Sequence, residues 1–429
     1  METFNDLIFS APPILSPKDH FGEHHPVIYE IYIHTGELSI FIWNEQKLIR
    51  SYNRPVHHVE EHMGMCSSYL RSAFDHYHHT RKSLSEDSDL SFLSRTITNI
   101  GEQIWHFIHN DSKATEMWNK FIELARQNTR PGVILLRGKD VATWPVECMA
   151  EMKEDELGDQ QLSVIKRTGK EQDQRNWPVW LQTNLPKKIV FLCGPNPLHP
   201  QQLDKLDVEQ EVKYMYKTLF RDDSEDDYKS FKFYRKRMAD NPSPFEIHYL
   251  PENSTLEDIQ SLISSISEPY LFIFSGHGLH TKSSTIDGEL YWPQSVANKK
   301  NDFIAHEQLR EVFFNNPPFI TIFNCCSTMR MTEIAGYPVN KLHPIERMYQ
   351  SIPSKNNEPF RIIFANRAET LDSSSLHISK GIANHIVNGG TIFDLLETIS
   401  SIKPSDFENQ RRLIELVKRD RAVGTTLMI

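Results

Sequence analysis

Short apolar runs alternate with segments of helical spacing after about residue 185, and this alternation constrains the fold more than any other feature of the chain. The apolar runs are KKIVFLCGPNP (187–197), FEIHYLP (245–251), PYLFIFSGHG (269–278), PFITIFNCC (318–326) and FRIIFAN (360–366). Helical spacing is found at 206–220, 255–266, 305–314, 374–388 and 391–402. Strands that alternate with helices predict an α/β fold, a mostly parallel sheet flanked by helices on both faces.

The first part of the chain has a different pattern. VIYEIYIHTGELSIFIW (27–43) alternates with a period of two on both sides of a turn, which predicts a β-hairpin, and 47–56 could supply a third strand. Residues 57–126 look helical, with polar breaks near Ser85 to Ser91 and at Asn110-Asp111. GVILLRG (132–138) predicts a buried strand. An α+β region therefore precedes the parallel sheet.

Composition excludes several classes of protein. The 47 basic and 57 acidic residues give a net charge of −10, whereas a general nucleic-acid binder shows a basic excess. No stretch approaches the ~18 apolar residues of a membrane span, and the first residues lack the pattern of a secretory signal. Five cysteines are few and odd in number, which argues against a disulfide framework. We expect a cytoplasmic protein that binds neither nucleic acid nor membrane.

Reactive side chains follow two of the apolar runs. YLFIF leads into Ser-Gly-His277-Gly, and FITIF leads into Asn-Cys-Cys326-Ser. Ligand sites of parallel sheets lie beyond the carboxyl ends of the strands. An imidazole beside a thiol promotes formation of the nucleophilic thiolate, and the flanking glycines would let a substrate backbone approach.

The interval between the two residues supports this interpretation. Cys326 follows His277 by 49 residues (326 − 277), and caspases place their histidine ~50 residues before the cysteine. The alternative is that each is structural, since cysteine is commonly a small buried hydrophobe. The combination of motif, position and interval favours a catalytic pair.

Several blocks in order make the chain resemble the CHAT peptidases, bacterial relatives of caspases and separases. Trp144-Pro145-Val146-Glu147 is similar to the family's proline–tryptophan–glutamate block with its first two residues exchanged. KKIVFLCGPNP resembles the first core strand, while FSGHG and FNCCST resemble the histidine and cysteine motifs. NRAETLDSSSLHISKGIANHIVNGGTIFDLLETI resembles the C-terminal block. The resemblance covers about residues 130–402 and implies a caspase-like fold.

The resemblance also implies roles for individual residues. Cys326 would be the nucleophile of a thiol protease, and His277 would be its general base and acid. The backbone N–H groups of Gly278 and Cys326 would form the oxyanion hole. Cys325 falls on a position where the family commonly has alanine, so it would be a buried spacer. This hydrolase would need no cofactor.

Two acidic residues have roles that the resemblance leaves open. The exchanged order of Trp144 and Pro145 leaves Glu147 with a structural hydrogen bond as its default role. Asp372 falls where members often have an acid, which could line a substrate pocket for a basic side chain. Asp372 could equally cap the following helix, because aspartate is preferred there.

The domain organisation and the partners follow from the same reading. Residues 1–130 would form the regulatory or pseudo-protease-like α+β region, and residues 131–429 the peptidase domain. By analogy with the family, the substrate would be a protein partner such as a gasdermin-like pore former, in bacterial (antiviral) defence or programmed cell death. An activating partner or ligand could order the polar segment from Thr281 to Asp302.

Two other functions stay open from the sequence. His58-Val-Glu-Glu61-His62 fits the inverted zinc-peptidase pattern, in which the two histidines share one helical face. With 20 histidines in the chain, a chance match is common, and we expect no metal site. A caspase-like fold can also serve as a catalytically silent adaptor, which the intact pair His277 and Cys326 argues against.

Overall fold

The structure is a computed structural model. It describes residues 26–34, 36–44, 47–80, 86–127, 132–138, 141–157, 162–167, 181–194, 208–220, 246–250, 254–279, 289–291, 303–304, 306–325, 348, 352, 361–366, 372–400 and 424–428.

The described residues form fourteen strands and nine α-helices. The strands are β1 (Val27–His34), β2 (Glu37–Asn44), β3 (Lys47–Pro55), β4 (Gly132–Gly138), β5 (Leu162–Arg167), β6 (Lys188–Cys193), β7 (Glu246–Leu250), β8 (Tyr270–Ser275), β9 (Gly278–Leu279), β10 (Glu289–Tyr291), β11 (Phe303–Ile304), β12 (Ile320–Asn324), β13 (Ile362–Asn366) and β14 (Gly424–Met428). The helices are α1 (Val59–Thr80), α2 (Glu86–Ile108), α3 (Ser112–Gln127), α4 (Val146–Lys153), α5 (Val208–Phe220), α6 (Leu256–Ser265), α7 (His306–Phe313), α8 (Asp372–Val387) and α9 (Ile392–Ser400).

Eleven of the described strands make one continuous sheet, in the order β3-β2-β1-β4-β5-β14-β13-β12-β8-β6-β7. Seven of its ten strand pairs are parallel, and the antiparallel pairs are β1–β2, β2–β3 and β13–β14. The predicted α/β class is confirmed: a mostly parallel sheet is flanked by helices and carries an α+β region at its N-terminal side. The strands β9, β10 and β11 form a separate small sheet.

The N-terminal hairpin forms as the alternating pattern predicts. β1 and β2 pair antiparallel from Val27 with Asn44 to His34 with Glu37, and β3 adds the third strand. Gly36 turns the chain with a φ of 82°, a left-handed conformation that glycine adopts without the steric cost of a Cβ atom. β3 is exposed along most of its length at the edge of the sheet.

Apolar side chains cover both faces of the large sheet. One hydrophobic cluster includes Ile28, Val133 and Ile165 from the N-terminal strands together with Phe191, Ile273 and Ile322 from the C-terminal ones, so it runs along a single face. The helices α5, α8 and α9 contribute to this face. Two further clusters lie on the opposite face, one with residues of α1 to α4 and one with residues of α6 and α7.

The helical segment predicted at 57–126 is three helices. Its second break is where the sequence places it, between Ile108 at the end of α2 and Ser112 at the start of α3. The carboxylate of Asp111 accepts a hydrogen bond from the backbone N–H of Ala114 at 2.9 Å, which satisfies one of the unpaired N–H groups of the first helical turn.

The N-terminal strands are joined directly to the strands that follow them. β1 pairs in parallel with β4, from Val27 with Gly132 to Ile33 with Gly138, across the expected boundary at 130/131. The core cluster of this region contains residues between Val27 and Leu162. The division into residues 1–130 and 131–429 stays a prediction. Among the helices of the described ranges, none combines the length and the hydropathy that a membrane span requires.

Candidate active site

The carboxyl ends of three neighbouring parallel strands define one edge of the sheet, which we call the candidate edge. Ser275, the last residue of β8, lies opposite Asn324, the last residue of β12, and opposite Cys193, the last residue of β6. His277 follows Ser275 by two residues and is half-buried. In the sequence, Cys326 follows Asn324 by the same two residues, but it lies outside the described residues.

Gly276 has a structural reason to be glycine. A Cβ atom added there would lie 2.8 Å from the Cα atom of Gly194, and one added at Gly194 would lie 2.8 Å from the Cα atom of Gly276. The backbone N–H of Gly194 also donates to the carbonyl oxygen of Ser275 at 2.7 Å. From the sequence, we expect the glycines around His277 to make room for a substrate backbone. In the structure, Gly276 instead allows its own backbone to contact that of Gly194.

The backbone after His277 enters the small sheet. Gly278, the predicted oxyanion donor, is the first residue of β9 and is paired with Leu290 of β10. β10 lies within the polar segment 281–302 that the sequence marks as a candidate gate, and β11 follows directly after it. The remainder of that segment lies outside the described residues. The oxyanion role of Gly278 stays a prediction.

Cys325 is a buried spacer, as expected. Its side chain is 2% exposed and belongs to the same apolar cluster as Phe274 and Phe323. Its carbonyl oxygen accepts a hydrogen bond of 3.1 Å from Nδ2 of Asn366, the last residue of β13. The thiol therefore packs in an apolar core on the opposite face from Asn324, away from water.

The other cysteines of the described residues are also buried. They are Cys66, Cys148 and Cys193. Burial raises the pKa of the Cys66 thiol to about 11, so this thiol stays protonated at neutral pH. Buried apolar surroundings make a cysteine inert, whereas a nucleophilic cysteine needs water access and a base.

A buried carboxylate lies behind the candidate edge, and the sequence interpretation missed it. Glu211 on α5 is 1% exposed. Its Oε1 atom accepts a hydrogen bond from the Ser275 hydroxyl at 2.7 Å. Its Oε2 atom accepts from Asn324 Nδ2 at 2.8 Å and from the Ser379 hydroxyl of α8 at 2.6 Å. We call these four residues the Glu211 cluster.

A sequence signal for Glu211 exists. The apolar face of α5 is formed by Val208, Val212, Met215 and Leu219, all of them buried. Glu211 is three residues after Val208 and four before Met215, so it occupies a position on the same helical stripe. A charged residue at a core position is rarely fully buried unless it has partners, which marks it for attention.

Glu147 makes a structural contact, which confirms its default role. Oε1 of Glu147 forms an ion pair of 2.8 Å with Nζ of Lys166 on β5, and Lys166 is fully buried. The same ammonium group donates to the carbonyl oxygen of Trp144. The Trp144 to Glu147 block is thereby anchored to the sheet through one buried cation.

Asp372 is the first residue of α8. Its side chain lies outside the described residues, so both the substrate-pocket role and the helix-capping role stay predictions.

The zinc interpretation fails on geometry. His58 precedes α1 and has a φ of 56°, outside the helical range, so it does not share a helical face with His62. Nδ1 of His58 lies 3.3 Å from an oxygen of Glu61, while the His62 ring stacks on Phe107 with centroids 4.8 Å apart. Within the described ranges, no group of three or more His, Cys, Asp or Glu side chains could hold a metal ion.

The fold and the candidate edge define an α/β protein with a histidine beyond one strand and, in the sequence, a cysteine beyond its neighbour. No protein-family model matches the chain, and a search of curated proteins gives no match. One similar solved structure is the complex of Porphyromonas gingivalis RgpB pro- and mature domains. It has a TM-score of 0.35 and 11% sequence identity, over 84% of this chain and 76% of that chain. A similarity of this size assigns neither an activity nor a substrate.

Proposed function

We propose that the protein is a cysteine endopeptidase of the caspase-like class, with His277 and Cys326 as its catalytic dyad. One observation carries this proposal: Ser275 and Asn324 are register partners at the ends of adjacent parallel strands. Because each is followed two residues later by one member of the pair, the sequence directs both reactive groups to one edge.

The position of Cys325 supports Cys326 as the nucleophile. Asn324 and Cys325 lie on opposite faces of the sheet, since Asn324 contacts Glu211 and Cys325 packs with Phe323. The buried apolar surroundings of Cys325 make its thiol unreactive, which leaves the nucleophilic role to Cys326. We therefore give Cys325 a role in the core and Cys326 the role of nucleophile.

The reaction that this dyad would perform is acyl transfer. The thiolate of Cys326 attacks the carbonyl carbon of the scissile peptide, and the carbonyl π electrons move to oxygen. The backbone N–H groups of Gly278 and Cys326 would donate to that oxyanion. The imidazolium of His277 gives its proton to the leaving amine as the C–N bond breaks, which leaves a thioester.

A water molecule completes the cycle. His277, now neutral, takes a proton from the water as its oxygen attacks the thioester carbonyl. The C–S bond then breaks, which gives a carboxylic acid and the regenerated thiolate–imidazolium pair, and the acid loses its remaining proton to solvent. The overall reaction consumes one water per peptide bond and requires no other reactant.

The biological setting is proposed from the resemblance to CHAT peptidases. A protein partner such as a gasdermin-like pore former would be the substrate, in bacterial defence or programmed cell death. Activation by a partner or ligand would order segment 281–302. Limited proteolysis tests this gate, because the segment should become less sensitive to added protease on activation; equal sensitivity in both states would count against it.

Alkylation of Cys326 tests the dyad without any substrate. Iodoacetamide is reacted with the full chain at a series of pH values, and modification of Cys326 is followed by peptide mass spectrometry. The wild-type thiol should titrate at or below about pH 7.5, as thiols beside an imidazole do. His277→Ala should return the midpoint to about 8.5. An ordinary thiol profile in the wild type, unchanged in His277→Ala, would overturn the proposal.

Cleavage then tests the activity itself. The full chain is incubated with a library of peptides from a protein digest and with candidate partner proteins, and new termini are identified by mass spectrometry. Cys326→Ala should abolish cutting, since loss of such a nucleophile costs on the order of 10⁶ in rate. Cys325→Ala is the matched control and should still cut. Equal products from wild type and Cys326→Ala would assign the cutting to another protein.

A further inference from the structure

We propose that Glu211 is the positioning residue of the candidate active site, because its carboxylate fixes the spacing of the strand ends that lead into His277 and Cys326. This inference rests on the proposed function and adds to it a residue outside the His–Cys motifs. Glu211 does not take part in the reaction itself, because it acts through the ends of β8 and β12.

The geometry of the carboxylate is suited to this task. Its two oxygens are held at a fixed separation in one plane, and each is bonded to a different strand end. Oε1 accepts from Ser275 at 2.7 Å, and Oε2 accepts from Asn324 at 2.8 Å. Ser275 and Asn324 are also register partners, so the carboxylate connects the side chains of two residues whose backbones already pair.

The third contact fixes the carboxylate itself. Ser379 on α8 donates to Oε2 at 2.6 Å, and α8 lies against α5 on the same face of the sheet. Glu211 is thus held between two helices and two strands. A buried carboxylate is costly unless it is hydrogen-bonded, and this one has three neutral donors at 2.6–2.8 Å. An apolar residue would fill the space without fixing the strand ends.

The expected effect on reactivity follows from distance. Ser275 and Asn324 each precede a member of the dyad by two residues, so a change in their spacing is passed on through one intervening residue of each chain. A displacement of about 1 Å in a reacting group can cost on the order of a hundredfold in rate. Loosening the strand ends should therefore weaken the coupling between thiol and imidazole.

The test uses the substrate-free alkylation assay on Glu211→Gln. The amide oxygen of glutamine still accepts from Ser275, but its NH₂ group cannot accept from Asn324 or Ser379. We expect alkylation of Cys326 at pH 6.5 to slow by roughly tenfold, with the titration midpoint moved toward that of His277→Ala. Thermal unfolding of each variant is measured alongside, so that a folded but uncoupled site is recognised.

A second variant exchanges donor and acceptor. In Glu211→Gln/Asn324→Asp, the new amide donates to the new carboxylate, so one hydrogen bond is restored with nearly unchanged shape. We expect this double variant to recover at least half of the lost alkylation rate. Failure to recover, with both proteins folded, would contradict a role through the bond between Glu211 and Asn324.

Glu30→Gln is the matched control. Glu30 is a fully buried glutamate of the N-terminal region, with Trp43 donating to it at 2.7 Å and Arg137 as its ion-pair partner. It should lower the unfolding temperature yet leave the Cys326 titration unchanged. If Glu30→Gln and Glu211→Gln shifted the midpoint of the Cys326 titration equally, the shift would be a result of general destabilisation, and the inference would be overturned.

The outcomes separate this inference from the proposed function. The wild-type titration of Cys326 could have a lowered midpoint that depends on His277 but does not change in Glu211→Gln. That result overturns the positioning role of Glu211 and leaves the dyad intact. An ordinary thiol profile in the wild type overturns the dyad and the inference together. Should Glu211→Gln not fold, Ser275→Ala removes one of the two strand-end bonds and must slow alkylation for the inference to stand.

Discussion

Buried carboxylates have different partners in the N-terminal and C-terminal parts of the sheet. In the N-terminal part, Glu30 pairs with Arg137, and Glu147 pairs with Lys166. In the C-terminal part, Glu211 accepts hydrogen bonds from the side chains of Ser275, Asn324 and Ser379, and the first two of these stand at the ends of neighbouring strands. The first arrangement joins elements through opposite charges, whereas the second joins the ends of strands.

This difference teaches where to look for a site. A carboxylate paired with a buried cation neutralises charge within the core, and removing one partner mainly costs stability. A carboxylate that bridges hydroxyl and amide groups at the carboxyl ends of parallel strands lies next to the edge where ligands of such sheets bind. The two parts of one sheet should therefore respond differently to substitution. Substitutions in the N-terminal part should lower stability alone, whereas substitutions at the candidate edge should also change the reactivity of Cys326.

The largest expected effect on stability is that of Lys166→Met. It removes the buried cation that pairs with Glu147 and one of the donors to the Trp144 carbonyl, so the free energy of unfolding should fall by roughly 3–5 kcal/mol. Urea denaturation measures this loss. The Cys326 titration, measured below the unfolding transition, should not move; a shift as large as that of Glu211→Gln would remove the contrast between the two parts.

An acid-dependent loss of stability is expected from His109. Burial lowers the pKa of His109 from 6.5 to about 3, and its Nε2 lies 2.7 Å from the Tyr29 hydroxyl. The unfolded chain takes up this proton below its pKa of 6.5, whereas the folded chain does so only near 3. Stability from this group is therefore complete above about 6.5 and declines as the pH falls toward 3.

The variant His109→Gln isolates this contribution. At pH 4.5 the wild type should have lost roughly 2–3 kcal/mol relative to neutral pH through this group, and the variant should lack that part of the slope. Denaturation at several pH values measures it. His58→Asn is the control, since His58 is exposed and asparagine tolerates its positive φ. Parallel slopes in wild type and His109→Gln would contradict the assignment.

Two glycine-to-alanine variants, one in the N-terminal part and one at the candidate edge, allow a comparison at a similar loss of stability. Gly276→Ala sets a Cβ atom against Gly194, and Gly101→Ala sets one 2.5 Å from the carbonyl oxygen of Cys148 in the N-terminal part. Each should cost about 1–3 kcal/mol through overpacking. Only Gly276→Ala should also slow alkylation of Cys326, because it displaces the backbone next to His277. Equal alkylation rates in the two variants would argue against that displacement.

The smallest expected effect is that of Thr255→Ala. The Thr255 hydroxyl accepts from the backbone N–H of Asp258 at 3.1 Å and caps α6. Its loss should cost about 1 kcal/mol, which thermal unfolding detects. Since α6 packs on the opposite face from the Glu211 cluster, alkylation should be unchanged. A changed rate would mean that any loss of stability in the C-terminal part reaches the candidate edge.

Much of the fold could be predicted from local patterns. The apolar runs that lead into His277 and Cys326 are β8 and β12, and the run FRIIFAN is β13. Because such runs are short, apolar and bounded by turn residues, each carries its own signal. The helical segment predicted at 206–220 is α5, from 208 to 220.

Pairing between distant segments could not be predicted. β5 and β14 were missed, since LSVIKR and GTTLM are short, partly polar runs with weak signals. The contact of β1 with β4 joins residues about a hundred positions apart, which no local period encodes. For the same reason, the sequence directed attention to His277 but not to Glu211, whose hydrogen-bond partners lie 64 to 168 residues away.

The position of β14 has a consequence for synthesis of the protein. This strand is the last one described along the sequence, yet it lies between β5 and β13 in the middle of the sheet. The ribosome delivers residues 424–428 after the other described strands, so until then the edges of β5 and β13 lack their shared neighbour. The continuous sheet can therefore be completed only after residues 424–428 have been synthesised, so its two groups of strands are joined last among the described strands.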